Sequence, residues 1–321
     1  MDLQTALLAV DETMQQVVAS SVDVLRKASR HILSAGGKRA RPRLAFLSYQ
    51  AVGGTDLSVM VPIAAALEIV HTATLVHDDI NDHGTLRRGR PTVNAIWGRT
   101  FALLTGDYLF AKVYELMAPQ GDLNAVFAEA TVKLVEGETM QAQAAKDGTL
   151  DQKLYFEIVA RKTAALFAAA TKLGALRGGG AEAQVQALAD YGFNVGMAFQ
   201  IIDDILDLLA DSEQLGKTAG VDVAQGKGIA VAARGRDGNN GMSVATLEIA
   251  DGKGADGKGE KHQDPLLALR RDMLQGGAVE RGQKLAHQFV TRALDHLKAL
   301  PHSAAAAELQ NLAWAMIERD Y

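Results

Sequence analysis

The most informative stretch of the chain is residues 71–90, which read HTATLVHDDINDHGTLRRGR. It closes an apolar run that begins near residue 57 and has the spacing of one long helix. The carboxylates Asp78, Asp79 and Asp82 stand at its end, and Asp78 and Asp82 share a helix face because they are four residues apart. Such carboxylates suit Mg²⁺ that also binds substrate phosphates. A solvent-exposed acidic helix end followed by a basic loop would explain this stretch equally well on its own.

The same acidic spacing recurs in a second apolar run, residues 196–211, which read GMAFQIIDDILDLLAD. Asp203, Asp204 and Asp207 stand there, inside a segment that otherwise resembles protein core. Acidic side chains are rarely buried unless they are paired or bind metal. A position on the solvent-exposed face of an amphipathic helix would explain either acidic cluster alone, but it is a poor explanation for both clusters together. Two facing clusters would hold several Mg²⁺ ions, or Mn²⁺ as a substitute, and bridge them to one diphosphate.

The reaction favoured by such a pair of clusters is the loss of diphosphate from carbon. Diphosphate is a poor leaving group until its negative charge is neutralised. Metal ions, helped by Arg87 and Arg88 just after the first cluster, would let its C–O bond ionise to an allylic carbocation. Apolar helices around the site would keep water away from that cation. The sequence therefore predicts a metal-dependent diphosphate site.

Composition narrows the class of protein. The chain has 321 residues, of which 48% are hydrophobic and only six are proline, which favours a helix-rich globular protein. It has no cysteine, which excludes disulfides, thiolate catalysis and cysteine-bound zinc. A formal net charge of −5 argues against broad attraction to nucleic acid.

The amino-terminal residues and the hydropathy pattern favour a cytoplasmic protein. The first residues, MDLQTALLAVDETMQQVV, include early acids and lack the basic region of a secretory signal. No apolar stretch approaches about 18 uninterrupted residues, so we expect no membrane-spanning helix. Peripheral contact with a membrane stays open.

Apolar residues recur at helical spacing along most of the chain, and no series of strands and turns is visible, so the predicted fold class is all-α. One or two helices are expected in residues 3–33, and others at 57–82, 94–116, 122–146, 151–176 and 182–210, with helical pattern resuming at Pro265. Residues 234–261 hold seven glycines in 28 positions, which predicts a flexible surface insertion.

Taken together, these motifs resemble the trans-isoprenyl diphosphate synthases, and within them the polyprenyl diphosphate synthases. The segments that carry the resemblance are GGKRARP (36–42), HTATLVHDDIND and TLRRGRPTVN (71–94), GDYLFAK (106–112), RKTA (161–164), FQIIDDILD (199–207), LGKTAGVDVAQGK (215–227) and the ending AMIERDY. The resemblance implies one all-α domain over residues 1–321, a helical bundle of the isoprenoid synthase type around a central apolar cavity. It also implies use of Mg²⁺ and a homodimer.

The reaction implied is head-to-tail condensation of isopentenyl diphosphate with an allylic diphosphate, giving an all-trans polyprenyl diphosphate. The metal ligands implied are Asp78 and Asp82, supported by Asp79, and Asp203, helped by Asp204 and Asp207. The residues expected to hold isopentenyl diphosphate are Lys38, Arg41, His71 and Arg88, and those expected to hold the allylic diphosphate are Arg87, Lys162, Lys217 and Lys227. Thr163 and Gln200 would line the reacting carbons.

Several of these residues have ordinary structural explanations. The segment Lys38–Arg41 reads in isolation as a basic loop, and His71 as a core histidine. His71 lies two helical turns before Asp78, however, on the same face, which favours the site. After Lys227 the chain departs from the family pattern, because it lacks the threonine and the proline-containing helix that are usual there.

Product length should depend on the helix that precedes the first cluster. Ala73 and Thr74 lie one turn before Asp78 and are small, and Val70 belongs to the next turn. Without a bulky residue there, the product is expected to be longer than geranylgeranyl. The alternative is a farnesyl or geranylgeranyl product, with the floor of the cavity supplied by a helix that contains Phe101 and Leu104.

Two other functions use the same fold. A terpene cyclase does not need a second diphosphate site, for which Lys38, Arg41 and Arg88 provide. A non-catalytic partner subunit typically lacks one acidic cluster, whereas both are complete here. Elongation of a prenyl chain is therefore the favoured interpretation.

Overall fold

The computed structural model describes residues 1–209 and 277–318. These residues are helical apart from turns and one two-residue hairpin, so the all-α prediction is confirmed. Lys217, Lys227, the predicted insertion at 234–261 and the helical restart at Pro265 lie outside the described residues.

The helices are α1 (Leu3–Val17), α2 (Asp23–Leu33), α3 (Ala40–Ala51), α4 (Val61–Asn81), α5 (Val93–Trp97), α6 (Arg99–Met117), α7 (Leu123–Asp147), α8 (Gln152–Val159), α9 (Ala165–Arg177), α10 (Glu182–Leu209), α11 (Ala278–Leu297) and α12 (Ala304–Ala315). A π-helical segment, Ala160–Ala164, joins α8 to α9, and a 3-10 turn, Leu57–Met60, precedes α4. The strands β1 (Leu86–Arg87) and β2 (Arg90–Pro91) pair antiparallel.

Helix α4 is the buried centre of the first group of packed helices. Its apolar side chains pack with those of α1 and α6, and α9 also contributes to this group. The segment Leu57–Asn81 is long and apolar enough to cross a membrane, but 78% of its most apolar window is buried inside the protein. Its apolar character is therefore accounted for by its place in the core.

Helix α10 is the centre of the second group. It packs against α9 on one side and α11 on the other, and α12 adds to the same core. The two acidic clusters sit on α4 and α10, and α9 contacts both of these helices. The fold thus brings two helices, far apart in sequence, to either side of α9.

One predicted helix is interrupted. The sequence pattern predicted a single helix over residues 94–116, whereas the structure divides it into α5 and α6 at Gly98. Gly98 has φ +80°, a backbone conformation that L-residues rarely adopt and that stops a right-handed helix. Helical periodicity continues across this break, which is why the pattern did not reveal it.

Candidate active site

The first acidic cluster lies at the carboxyl end of α4. The backbone N–H of Asp82 donates to the carbonyl oxygen of Asp78 at 2.8 Å and closes the helix. Asp79 is buried, whereas Asp78 and Asp82 are partly exposed. A helix carboxyl end carries partial negative charge, so three carboxylates at this place favour a bound cation.

Asp79 differs from its two neighbours because it is tied to an arginine. Nε of Arg87 donates to Oδ1 of Asp79 at 2.8 Å, and Oδ2 is buried without a hydrogen-bond partner in the described structure. Burial, and to a lesser extent the charges of Asp78 and Asp82, raise the pKa of Asp79 to about 6 against the lowering effect of Arg87. Asp79 therefore fixes the arginine hairpin, and the crowded negative charge beside it again favours a cation.

The hairpin brings two basic segments together. Its turn, Arg88–Gly89, has positive φ at both residues, as in the tight turns that suit a two-residue hairpin. The guanidinium of Arg88 donates to the carbonyl oxygen of Gly36. The loop before α3 and the loop after α4 therefore meet, although they are 52 residues apart in the chain.

A cationic pocket lies where these loops meet. Its lining comprises Ile32, Leu33, Ala35, Gly36, Arg39, Glu68, Thr72, Leu75, Arg87 and Arg88. The sequence singled out neither Arg39 nor Glu68 as a site residue. Arg39 forms ion pairs with Asp11 at 2.7 Å and with the buried Glu68 at 3.0 Å. Glu68 is thus an internal counter-charge for a pocket that is otherwise basic.

Arg41 and His71 belong to the same electrostatic environment. Arg41 is buried with its guanidinium 4.6 Å from the centre of the Phe167 ring, and burial lowers its pKa to about 10 although Glu68 and Asp203 oppose the change. Burial and the charges of Arg41 and Arg88 hold the pKa of His71 well below its usual value. Burial and the neighbouring arginines therefore disfavour the charged form of His71. Lys38, by contrast, is exposed.

Lys162 stands beside the first acidic cluster. Its Nζ lies 2.8 Å from Oε2 of Glu138, 2.7 Å from Oε1 of Gln141 and 3.5 Å from Oδ2 of Asp78. Burial alone would lower the pKa of Lys162, but the charges of Asp78 and Glu138 more than offset it and raise that pKa. Burial raises the pKa of Glu138 to about 7, with Lys162 opposing. The lysine is therefore charged and held among acidic groups.

Two glycines position the π-helical segment that carries Lys162. A Cβ on Gly137 of α7 would lie 2.5 Å from the backbone nitrogen of Lys162, and one on Gly196 of α10 would lie 2.7 Å from Cα of Ala164. Only glycine allows helices to approach this closely from both sides. Such single-turn π segments are frequent at functional sites.

The second acidic cluster is linked to the same segment. Oγ1 of Thr163 donates to Oε1 of Gln200 at 2.7 Å, and Nε2 of Gln200 donates to Oδ1 of Asp204 at 2.8 Å. The hydroxyl of Tyr155 donates to Oδ2 of Asp204 at 2.7 Å. Asp204 is therefore oriented by the protein. Asp203 is partly exposed and Asp207 is buried on the same helix.

The carboxylates and their surroundings fit a divalent metal ion. All the acidic groups offer hard oxygen donors, which Mg²⁺ prefers together with phosphate oxygens and water. Among residues 1–209 and 277–318, three or more acidic or histidine side chains do not converge on one point. Two observations support the fit of these residues to a metal ion. Asp78 lies at the carboxyl end of a helix, and Asp79 lies close to the negative charges of Asp78 and Asp82.

The residues predicted to set product length are buried in α4. Ala73 and Val70 are fully buried, and Oγ1 of Thr74 donates to the carbonyl oxygen of His71 at 2.7 Å. Phe101 and Leu104, considered as another floor for the cavity, are 43% and 48% exposed. Their side chains therefore lie on the outer side of α6 and not in the core of this chain.

Five polar residues of the site were not identified from the sequence: Arg39, Glu68, Glu138, Gln141 and Tyr155. Glu138 and Gln141 lie on α7 and Tyr155 lies on α8, two helices that were predicted from their apolar spacing. The polar run that begins with Glu136-Gly137-Glu138 was a usable signal, because a glycine inside a helix often marks a close packing contact.

Comparison with known proteins gives one consistent result. The family model for polyprenyl synthetase matches residues 22–257. The chain is 37% identical to a short chain isoprenyl diphosphate synthase of Methanothermobacter thermautotrophicus, over 97% of this chain and 95% of that protein. It is 38% identical to heptaprenyl diphosphate synthase component 2 of Geobacillus stearothermophilus, over 99% and 97%. A polyprenyl synthase of Caulobacter crescentus, solved with calcium and isoprenyl diphosphate, has a TM-score of 0.87 at 33% identity, over 98% and 95%.

Proposed function

This chain belongs to the polyprenyl synthetase family and is a trans-prenyltransferase, and we propose that it joins isopentenyl diphosphate to an allylic diphosphate in a Mg²⁺-dependent reaction. The product is an all-trans polyprenyl diphosphate longer than geranylgeranyl. The enzyme works in the cytoplasm, with peripheral membrane contact when the product is released.

One observation carries this proposal: the π-helical segment links the two acidic clusters. Lys162 pairs with Asp78 of the first cluster, and its neighbour Thr163 is joined through Gln200 to Asp204 of the second. An allylic diphosphate between the clusters would therefore meet carboxylates, an ammonium group and the Thr163–Gln200 oxygens together. Mg²⁺, when bound to Asp78, Asp82, Asp203 and Asp207, would neutralise the diphosphate charge and ease its departure.

Two different groups of side chains bind the two diphosphate substrates. Arg88, which lines the cationic pocket, holds isopentenyl diphosphate together with the nearby Arg41, His71 and Lys38, and Lys162 and Arg87 hold the allylic diphosphate. The allylic C–O bond breaks and its electron pair leaves with diphosphate. The isopentenyl double bond supplies the electrons of the new C–C bond, and the proton that is then lost goes to the departing diphosphate. No side-chain base is needed.

The test is incubation of the purified chain with Mg²⁺, isopentenyl diphosphate and farnesyl diphosphate, followed by sizing of the products. Elongation beyond geranylgeranyl supports the proposal. Growth that stops at geranylgeranyl indicates a short-chain synthase, and a cyclised hydrocarbon made without isopentenyl diphosphate indicates a terpene cyclase. Activity that appears only with a second, different subunit indicates a partner component, as in the name of the Geobacillus stearothermophilus relative.

Replacing Ala73 with phenylalanine should shorten the main product. Ala73 is fully buried one turn before Asp78, so a phenyl ring there would block a chain growing along α4. Val70→Phe, three residues or about 4.5 Å deeper along the helix, should shorten the product less. Chromatography of the dephosphorylated products measures both. Ala73→Val is the matched control with a small added volume. A product profile equal to that of the parent in Ala73→Phe would rule out this control of length.

We also propose that the enzyme is a homodimer. Helix α7 exposes Ala125, Ala128, Val132 and Val135 at the alternating spacing of three and four residues that suits packing against another helix. Val132 is 58% exposed, and Tyr114 of α6 is 70% exposed. Apolar residues exposed in series mark an interface. A second copy is the simplest occupant, because a two-fold axis would pair this stripe with itself.

Val135→Lys should convert the dimer into a monomer, because it would place two ammonium groups within the paired stripes. Light scattering after size-exclusion chromatography measures the mass directly. Leu8→Lys is the matched control, since Leu8 is an exposed apolar residue on α1, away from α7. A parent chain that elutes as a monomer would contradict the homodimer.

A further inference from the structure

Lys162 is held from one side by a helix that carries no predicted metal ligand. A lysine ammonium has three N–H donors and no acceptor. In the structure, Glu138 and Gln141 lie at hydrogen-bond distance from Nζ, at 2.8 Å and 2.7 Å, whereas Asp78 lies farther away at 3.5 Å. Two of the three N–H donors of Lys162 therefore have acceptors at hydrogen-bond distance, and the third faces Asp78 of the first acidic cluster at a longer distance.

The two firm acceptors come from one face of α7. Glu138 and Gln141 are three residues apart, which places their side chains on the same side of the helix. Gly137 lets this face approach the Lys162 backbone so closely that a Cβ would lie 2.5 Å from its nitrogen. The close packing of α7 on the π-helical segment thus places Glu138 beside Lys162.

The lysine stem would be mobile without this support. Lysine carries its charge on a flexible four-carbon chain, so a lysine that must meet one phosphate oxygen needs its position fixed in advance. Asp78 alone cannot supply this, because its carboxylate would turn to metal and substrate. Glu138 supplies both a hydrogen bond and the opposite charge, and Gln141 supplies the hydrogen bond only.

We propose that Glu138 is a positioning residue for prenyl transfer: with Gln141, it holds the Lys162 ammonium so that its third N–H is directed at the departing diphosphate. This inference rests on the proposed function. Glu138 touches neither diphosphate nor metal in this role, and its effect passes through Lys162.

The test compares Glu138→Ala, Glu138→Gln and the matched control Glu136→Gln. Glu136 is on the same helix two residues away, is 56% exposed and pairs with Arg161 at the long distance of 3.6 Å. Glu138→Ala should lower kcat about 100-fold, as expected for a misplaced catalytic group, with little change in the KM of isopentenyl diphosphate. Glu138→Gln keeps an acceptor oxygen and should lose about tenfold. Glu136→Gln should match the parent.

A double variant separates positioning from a merely structural role. If Glu138 acts through Lys162, adding Glu138→Ala to Lys162→Ala should cost almost nothing further, because residues that act as a unit are not additive. Additive losses would overturn the proposal. So would an activity of Glu138→Ala that equals the parent's, or one that is restored by raised Mg²⁺, since the latter would make Glu138 a metal ligand.

A binding measurement distinguishes failure of this inference from failure of the proposed function. Calorimetric titration of inorganic diphosphate in the presence of Mg²⁺ requires no turnover. Weaker binding by Glu138→Ala than by Glu136→Gln supports the positioning role, and equal binding contradicts it. A parent that binds diphosphate but does not elongate would refute the proposed function and leave this comparison valid. Should circular dichroism show Glu138→Ala to be unfolded, Glu138→Gln decides the result by the same criteria.

Discussion

Asp78→Asn should lower the rate of prenyl transfer by at least about 10³-fold. Asparagine keeps the size of the side chain and one oxygen but removes the charge. Stabilisation of departing charge by a bound metal is worth several kcal/mol, and each 1.4 kcal/mol is about tenfold in rate. The loss should be partly recovered at raised Mg²⁺ concentration, because the remaining carboxylates, such as Asp82, would still bind the ion weakly.

The measurement is kcat/KM for the allylic substrate at several Mg²⁺ concentrations. Asp122→Asn is the matched control, because Asp122 is exposed before α7 and makes no side-chain capping bond. Asp203→Asn should behave like Asp78→Asn if both clusters serve one diphosphate. A variant of either cluster that retains more than about a tenth of the activity would show that its cluster is not needed.

Lys162→Ala should have the second largest effect, a loss of about 10²–10³-fold in kcat. This is the usual range for removal of one donor that stabilises charge developing in the transition state. The change also leaves Glu138 and Asp78 facing each other without the ammonium between them. We therefore expect the free energy of unfolding to fall by about 1–3 kcal/mol, the range for a buried polar group that loses its partner.

Steady-state kinetics and chemical unfolding measure these two effects separately. Lys133→Ala is the control, since Lys133 lies on the exposed face of α7 and pairs with Glu129 one turn away. Its activity should match the parent's. A Lys162→Ala enzyme with parental kcat would contradict the role of Lys162, whatever its stability.

The sequence predicted the helices and both acidic clusters because these depend on local spacing. Asp78 and Asp82 follow an apolar helix that is visible in the pattern alone, and so do Asp203 and Asp207. The all-α class followed from the same periodicity. The break at Gly98 did not, because a single positive φ changes the chain direction without disturbing the apolar spacing.

Contacts between segments that are distant in sequence could not be predicted from the spacing of residues. Glu138 differs from other polar helix residues because α7 packs against Lys162, and the sequence does not show this contact. Glu68 lies in an apolar stretch of sequence and comes close to Arg39 and the arginine hairpin only in the folded chain. The same holds for Tyr155, which meets Asp204 across 49 residues. The assignment of Arg87 and Arg88 to different partners, Asp79 and Gly36, likewise required the hairpin geometry.

We propose that Asp78 on α4 and Asp203 on α10 serve one diphosphate. A crystal structure of the chain with Mg²⁺ and the thiodiphosphate analogue of farnesyl diphosphate, whose sulfur link slows ionisation, tests this most directly. We expect metal ions that contact both Asp78 and Asp203 and share the oxygens of one diphosphate, with Lys162 donating to the same group. A diphosphate bound at one cluster alone, with the other cluster free of metal, would contradict the claim.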